Sequence, residues 1–271
     1  MDLTSLPAVK NWLNVTTNND DTLLSRLITQ ISQAALNELQ RPSIARATYT
    51  ELRDGVGNQR MTLRNWPVVS VTSLQVGPQV VPSSLTFGQT GYTLETWDGT
   101  SSGAPQSLTL NGYGFARGKN NVQIVYQAGY CVSAQAATVS PGNYLVKVKP
   151  PLGSWCQDDG ISYASTGAAL APVASSPAAG QYTVNVGSDG TVVYGFNASD
   201  AGAAVRISYS FVPGGLEEAV IEWVGERYSY KQRIGQKSKS VGGNETFAYD
   251  LSAIPKHIDQ MLSGYRKFLP V

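Results

Sequence analysis

Residues 20–39 read DDTLLSRLITQISQAALNEL, and this stretch decides how the first part of the chain folds. Its apolar residues recur every three or four positions and form one stripe: Leu24, Leu27, Ile28, Ile31, Ala35 and Leu39. That period predicts an amphipathic α-helix. Acidic residues favour its N-terminus, and Arg41-Pro42 ends it because the residue before a proline avoids the helical conformation. A helix with one apolar face needs a partner to cover that face.

The other end of the chain offers that partner. A second apolar stripe follows Pro213-Gly214-Gly215 and predicts a helix: Leu216, Ala219, Val220, Trp223 and Val224. Pro255 opens a further helix, and a short one near the N-terminus is capped by Thr4 or Ser5. We therefore expect the helices of the two ends to pack together, with Trp12 and Trp223 in the core.

Between the helices the period changes to that of β-strands. Strand patterns occur at residues 48–52, 60–64, 68–76 and 92–95, and a phase slip at Thr72-Ser73 predicts a bulge. Residues 107–110 and 122–126 are interpreted as a strand pair. Residues 131–213 carry seven charged residues and several strand patterns, which predict a small antiparallel β-sandwich-like module.

The predicted fold class is therefore α+β. Residues 1–130 and 214–271 form a discontinuous helical-bundle core with β-strands, and residues 131–213 are inserted into it. Residues 235–250 are expected to form a loop.

Composition excludes several classes of function. The 271 residues contain 20 Lys and Arg against 19 Asp and Glu, so the net charge of +1 argues against a dedicated nucleic-acid-binding protein. The only histidine, His257, leaves no catalytic triad. Asp158-Asp159 beside Cys156 is interpreted as a solvated turn rather than a metal site. We expect no enzyme activity, no cofactor and no metal.

Two further expectations concern membranes and redox state. No run reaches the roughly 18 apolar residues of a transmembrane helix, and no export signal precedes residue 30. Cys131 and Cys156 are therefore expected to be free thiols.

One stretch of positive charge has two interpretations. Residues 227–239 contain five basic residues and no acid: Arg227, Lys231, Arg233, Lys237 and Lys239. They form either a solvated helix end or a patch that faces an acidic partner or passing nucleic acid. Arg60 and Arg64 have the same two interpretations.

Several short motifs, in order, resemble the head–tail connector (adaptor) proteins of tailed phages. They are LTSLPAVKNWL at 3–13, the Asp20 to Leu24 helix start, Arg41-Pro42, Tyr49 to Glu51, Asp54-Gly55, LRNWPVVSV at 63–71, VYQAGY at 125–130, Leu216 to Val220 and Pro255 to Tyr265. The resemblance covers about residues 1–130 and 214–271. Residues 131–213 depart from it, which leaves their role open.

The resemblance implies a non-enzymatic part of the virion neck, made in the host cytoplasm. Family members form a ring, usually a dodecamer, beneath the portal protein, and the ring continues the DNA channel toward a downstream tail or stopper protein. Genomic DNA would pass without sequence specificity, and no membrane is involved. The C-terminal segment often reaches the portal, which would assign that contact to Lys267, Phe268, Leu269, Pro270 and Val271, and to the 235–250 loop.

Two alternatives remain open from the sequence. The middle module could recognise carbohydrate or a host component through an aromatic patch around Trp155, Tyr163 and Tyr182. Trp97 and Trp155, in predicted loops, are interpreted either as interface anchors or as local packing. An enzyme would have to use His257.

Overall fold

A computed structural model of the protein describes residues 1–84, 88–95, 106–150, 153–187, 190–231, 238–241, 245–248 and 254–267, with the backbone alone at 238–241 and 245–248. The chain divides into two compact units. The first unit is Met1–Gln40 with Val132–Tyr265, and the second is Arg41–Cys131 with Arg266–Val271. The terminal helices therefore group with the middle segment. The predicted connector core and its insertion stay predictions.

The described residues of the first unit form four α-helices: α1 (Leu6–Leu13), α2 (Asp21–Glu38), α3 (Gly214–Tyr230) and α4 (Lys256–Ser263). Ser5 caps α1, since its side chain accepts a hydrogen bond from the Ala8 backbone N–H. Helix α3 packs against the other three helices. This confirms that helices from the two ends of the chain pack together.

The helix core follows the predicted stripes, with one exception. Leu24, Ile28 and Ile31 of α2 are buried, and the α3 stripe including Trp223 is buried too. Leu3 is fully buried, and its backbone N–H donates to Ser32 Oγ at 2.9 Å. The prediction that Trp12 is a core residue is wrong, because its side chain is 54% exposed.

The neighbourhood of Trp12 explains its exposure. An added Cβ at Gly225 of α3 would lie 3.7 Å from Trp12 Cδ1, so the ring lies against a helix surface that has no side chain there. Helix α1 is also short and buries only Val9 fully. Nothing on α3 at this point can cover the outer part of the indole.

In the second unit, the part of the chain that the structure describes forms seven strands. They are β1 (Ala47–Gly55), β2 (Arg60–Thr62), β3 (Val68–Val76), β4 (Gln79–Val81), β5 (Gly91–Glu95), β6 (Ser107–Asn111) and β7 (Gly118–Ala128). One sheet has the order β1-β7-β3-β4 and the other β2-β6-β5, and all pairs are antiparallel. The two sheets share one core that includes Leu74, Leu108 and Ile124. The predicted bulge in β3 is confirmed by a register shift between Val71 and Ser73.

The predicted pairing of β6 with β7 is wrong. Strand β6 pairs with β2 and β5, whereas β7 pairs with β1 and β3. Phe115, between them, is fully buried in the shared core, and its backbone N–H bonds to the carbonyl of Asn58 at 2.9 Å. Burying this ring takes the connection from one sheet to the other, so it cannot close a hairpin.

A seven-stranded sheet completes the first unit. Its strands are β8 (Cys131–Thr138), β9 (Leu145–Val148), β10 (Gly153–Tyr163), β11 (Ala169–Pro172), β12 (Gln181–Val186), β13 (Val192–Phe196) and β14 (Ala204–Pro213). Their order is β8-β14-β10-β11-β12-β13-β9, and β11 runs parallel to β12. The two outermost strands, β8 and β9, are consecutive in the chain, and the Ser140 N–H lies 3.4 Å from the Leu145 carbonyl oxygen.

The predicted antiparallel sandwich is therefore wrong. A single, nearly closed sheet with one parallel pair surrounds a single core that includes Tyr182, Tyr194, Ile207 and Val146. Register shifts in β10, at Trp155/Gln157 and Asp158/Gly160, allow the strand to bend with the sheet.

The segment predicted as a loop at 235–250 also differs from expectation. It contains two short antiparallel strands, β15 (Ser238–Val241) and β16 (Glu245–Ala248). Within the described part of the chain, no helix is long and apolar enough to span a membrane.

Candidate partner-binding surfaces

The basic end of α3 is only partly available to a partner. Arg227 lies in the last turn and is exposed. Lys231 Nζ lies 3.2 Å from Asp20 Oδ1, and the Tyr228 hydroxyl donates to Asp20 Oδ2 at 2.6 Å. The hydrogen bonds from Tyr228 and Lys231 lower the pKa of Asp20. Lys231 also lies 4.0 Å above the Tyr228 ring, so its charge is already matched within the chain.

The other predicted partner-binding residues are not brought together by the described structure. Lys239 lies in β15, of which only the backbone is described, and Lys267 is half-buried. The rest lie outside the described residues: Arg233, Lys237, Phe268, Leu269, Pro270 and Val271. Partner binding by this set stays a prediction.

Arg60 and Arg64 pair with acids in the second unit. Arg60 Nη2 lies 3.2 Å from Glu95 Oε2, and Arg64 Nε lies 3.9 Å from Glu51 Oε2. Glu51 is buried, lies 3.0 Å from Arg53, and accepts hydrogen bonds from the Tyr126 hydroxyl and from the Arg64 backbone N–H. The Arg64 contact therefore belongs to a buried network that supports the fold.

A second buried cation in this unit is Arg41, which is only 4% exposed. Its guanidinium carbon lies 4.3 Å from the centroid of the Trp66 ring, and Nη1 donates to the Trp66 carbonyl. Burial lowers the pKa of Arg41. The sequence pattern marks this residue only as a helix end, and its packing against Trp66 depends on contacts that lie far apart in the chain.

The acidic pair of the middle segment is not a solvated turn, and that interpretation is wrong. Asp158 and Asp159 lie in β10. The Tyr182 hydroxyl donates to Asp158 Oδ2 at 2.5 Å, and Ser210 Oγ donates to Asp159 Oδ2 at 2.6 Å. Burial raises the pKa of Asp158 and raises the pKa of the free thiol Cys156 to about 12. A thiol held protonated in this way is a poor nucleophile.

The described residues give little support for a metal site or for chemistry at His257. They contain no group of three His, Cys, Asp or Glu side chains that could hold a metal ion. His257 is largely exposed, and its Nε2 lies 3.4 Å from Glu222 Oε2.

The aromatic patch considered for carbohydrate binding is not a surface feature. Tyr182 is fully buried in the core of the seven-stranded sheet. Trp155 Nε1 lies within 3.3 Å of the Tyr194 hydroxyl, and the Tyr163 hydroxyl donates to Asp200 at 2.5 Å. These contacts favour local packing for Trp155. Trp97 lies outside the described residues.

Each unit exposes large apolar side chains. The first unit exposes Trp12 and Leu23, and the second exposes Leu52, Val56 and Val80. Sparse exposed apolar residues are common, but a half-exposed tryptophan is the residue type most enriched at energetically important protein contacts. These residues are candidates for contacts with other chains.

The family model described as head completion protein matches residues 166–268, which span β11 to α4 and less than half of the chain. The match thus includes part of the segment that departs from the resemblance seen in the sequence. No curated protein matches the chain.

Among solved structures, the chain is similar to a chain of "Neck of empty GTA particle computed with C6 symmetry". The TM-score is 0.40 at 12% identity, over 99% of this chain and 92% of that chain. A likeness at that level does not establish a shared fold. The match over residues 166–268 is to a family described as head completion protein, and it agrees with the resemblance to phage head–tail connector proteins found in the sequence.

Proposed function

We propose that copies of this chain form an adaptor ring beneath the portal protein, join the capsid to the tail and continue the DNA channel. The observation that carries the proposal is the head completion match, which covers α3 and α4 together with four strands of the nearly closed sheet. The ring has twelve copies and presents a platform to a downstream tail or stopper protein.

The low charge content of the chain supports assembly. Only 14% of the residues are charged, against about 25% in typical soluble domains. A closed ring with head-to-tail contacts needs two different faces on every copy. Exposed apolar side chains on both units, including Trp12 and Val80, offer material for two such faces.

The charge balance suits a channel through which DNA passes. A net charge of +1 leaves almost no excess of positive over negative charge, and affinity for DNA rises with the number of phosphates neutralised. A lining of this composition would guide DNA without holding it.

The portal contact is proposed for the basic end of α3 and for the C-terminal segment. Arg227 is exposed, whereas Lys231 already pairs with Asp20. Arg227 is therefore the better probe of the contact, because its replacement leaves the intramolecular pair in place.

The test is to image purified particles and particles assembled without this chain. We expect a ring of this chain at the neck of native particles, and DNA-filled heads without attached tails when the chain is missing. Absence of the chain from purified virions would contradict the proposal. Replacement of Arg227 by Glu is expected to reduce portal binding, with Arg206→Glu on β14 as a control outside the basic end of α3.

A further inference from the structure

The outer face of strands β1, β7 and β3 carries three cross-strand rows of side chains. The register places one residue of each strand in each row. The rows are Thr48, Gln127 and Ser70; then Thr50, Val125 and Ser73; then Leu52, Gln123 and Gln75. We call these nine side chains the uncharged face, because none of them ionises.

Charged residues flank this face at both of its ends. Arg46 precedes the first row and donates to Gln127 Oε1, and Asp54 follows the last row and accepts from the Asn120 backbone N–H at 2.6 Å. These nine neighbouring positions carry no charge, so covering them would bury no ion and would cost little electrostatic solvation.

The face has apolar contact area and a depression. Leu52 is 56% exposed. Leu52, Gln75 and Gln123, together with Gly77, Asn120 and Asn121, line a depression of about 270 Å³. Such a depression accepts an inserted side chain, and its amide groups can satisfy the polar atoms of that side chain.

We infer that this uncharged face is covered by the next copy of the chain in the ring, which rests on the proposed function. These nine side chains neutralise no phosphate, and the adjacent Arg46 already donates to Gln127, so the face is not built to hold DNA. A charged partner would lose solvation without gaining an opposite charge. The occupant must itself present an uncharged surface.

The chain has such a surface in its first unit. Strand β8, CVSAQAAT, contains no charged residue, and its exposed positions are small: Ser133, Ala134, Ala136 and Thr138. This strand stands at the end of the strand order in its sheet. The two surfaces differ, as head-to-tail contacts in a ring require.

The size of the face agrees with this role. A standard interface uses about 20–30 residues on each side, so nine residues supply roughly a third of one side. Flanking residues such as exposed Val80 would complete it.

The decisive experiment places a photoreactive phenylalanine analogue at position 50 of the full chain in assembled particles. Thr50 occupies the central row, and Thr93, an exposed strand residue of the other sheet in the same unit, is the matched control. Irradiation is expected to give a covalent adduct of two copies from position 50, about tenfold more than from position 93. An adduct with a different neck protein, or none, would overturn the inference.

A second measurement uses charge insertion. Gln123→Glu keeps the side-chain shape and adds a negative charge to the face. Thr50→Asp adds a negative charge to the same face on β1. We expect both to lower the number of copies per particle by about tenfold or more, while Thr93→Asp leaves it unchanged. Full rings with both variants would overturn the inference and leave the proposed function intact. Native particles without any ring of this chain would overturn both.

Discussion

In the second unit the buried carboxylate of Glu51 faces the guanidinium of Arg53, whereas in the first unit the carboxylates of Asp158 and Asp200 face tyrosine hydroxyls. A hydroxyl donates a hydrogen bond but brings no positive charge to offset burial. Accordingly, burial raises the pKa of Asp158. At these sites the second unit pairs its buried carboxylate with a cation, whereas the first unit pairs its carboxylates with neutral hydroxyl donors.

The largest loss of stability is expected from removing the buried ion pair between Glu51 and Arg53. Glu51→Ala removes the partner of Arg53 and the acceptor of the Tyr126 hydroxyl, both of which lie inside the unit. The free energy of unfolding of the second unit should fall by about 3–5 kcal/mol, since a buried charge is left without its partner. Native-state hydrogen exchange, read separately on β1 and β7, measures it. A loss confined to the first unit would contradict the comparison.

The matching change on the neutral side is Tyr182→Phe, which removes the hydroxyl that donates to Asp158. The second carboxylate oxygen of Asp158, Oδ1, is already buried without a hydrogen-bond partner in the described structure. The first unit should lose about 1–3 kcal/mol of unfolding free energy. Tyr163→Phe is the control and should cost less, because that ring is only partly buried.

The first unit contains a second carboxylate whose pKa is raised by burial, and it makes stability depend on pH. Burial raises the pKa of Glu217, whose carboxylate also accepts a hydrogen bond from Thr4. The folded state therefore favours the protonated form of Glu217. The contribution of this group to the free energy of unfolding is fully present below the pKa that Glu217 has in the unfolded chain, and it is lost as pH rises through the pKa in the folded protein.

Glu217→Gln should remove this dependence. The melting temperature of the variant, relative to that of the native protein, should therefore increase as pH rises from about 4 to 7. Thr4→Val removes a hydrogen bond that lowers the pKa of Glu217 and should steepen the dependence. Parallel melting curves of the Gln variant and the native protein would contradict the expectation.

The smallest effect concerns an ion pair at the surface of the second unit. Arg60 and Glu95 are 62% and 40% exposed in their side chains. Glu95→Ala should change the free energy of unfolding by no more than about 1 kcal/mol. If chemical denaturation showed that Glu95→Ala lowers the free energy of unfolding as much as Glu51→Ala, the stabilisation given by an ion pair in this unit would not depend on its burial.

Local signals in the sequence predicted the helices well. Ser5 followed by Pro7 marks the start of α1, and Pro255 immediately precedes α4. The bulge near Thr72 was also visible, because it interrupts the alternation of apolar residues within a single strand. Each of these features is set by residues a few positions apart.

Features set by distant residues were missed. The pairing of β6 depends on where Phe115 is buried, and the closure of the seven-stranded sheet depends on bulges in β10. The contact between Asp20 and Lys231 joins residues 211 positions apart, so the basic stretch looked unpaired along the chain. The uncharged face emerges only from the register of three strands.

Leu3 places a limit on how the protein can be labelled. Its side chain is fully enclosed and its backbone is tied to Ser32, while Met1 is 45% exposed. A fluorophore or affinity peptide joined ahead of Met1 can extend into solvent. Trimming the first three residues would instead open a hole beneath α2, so a shortened variant that fails to assemble would report damage to the helices rather than loss of a docking contact.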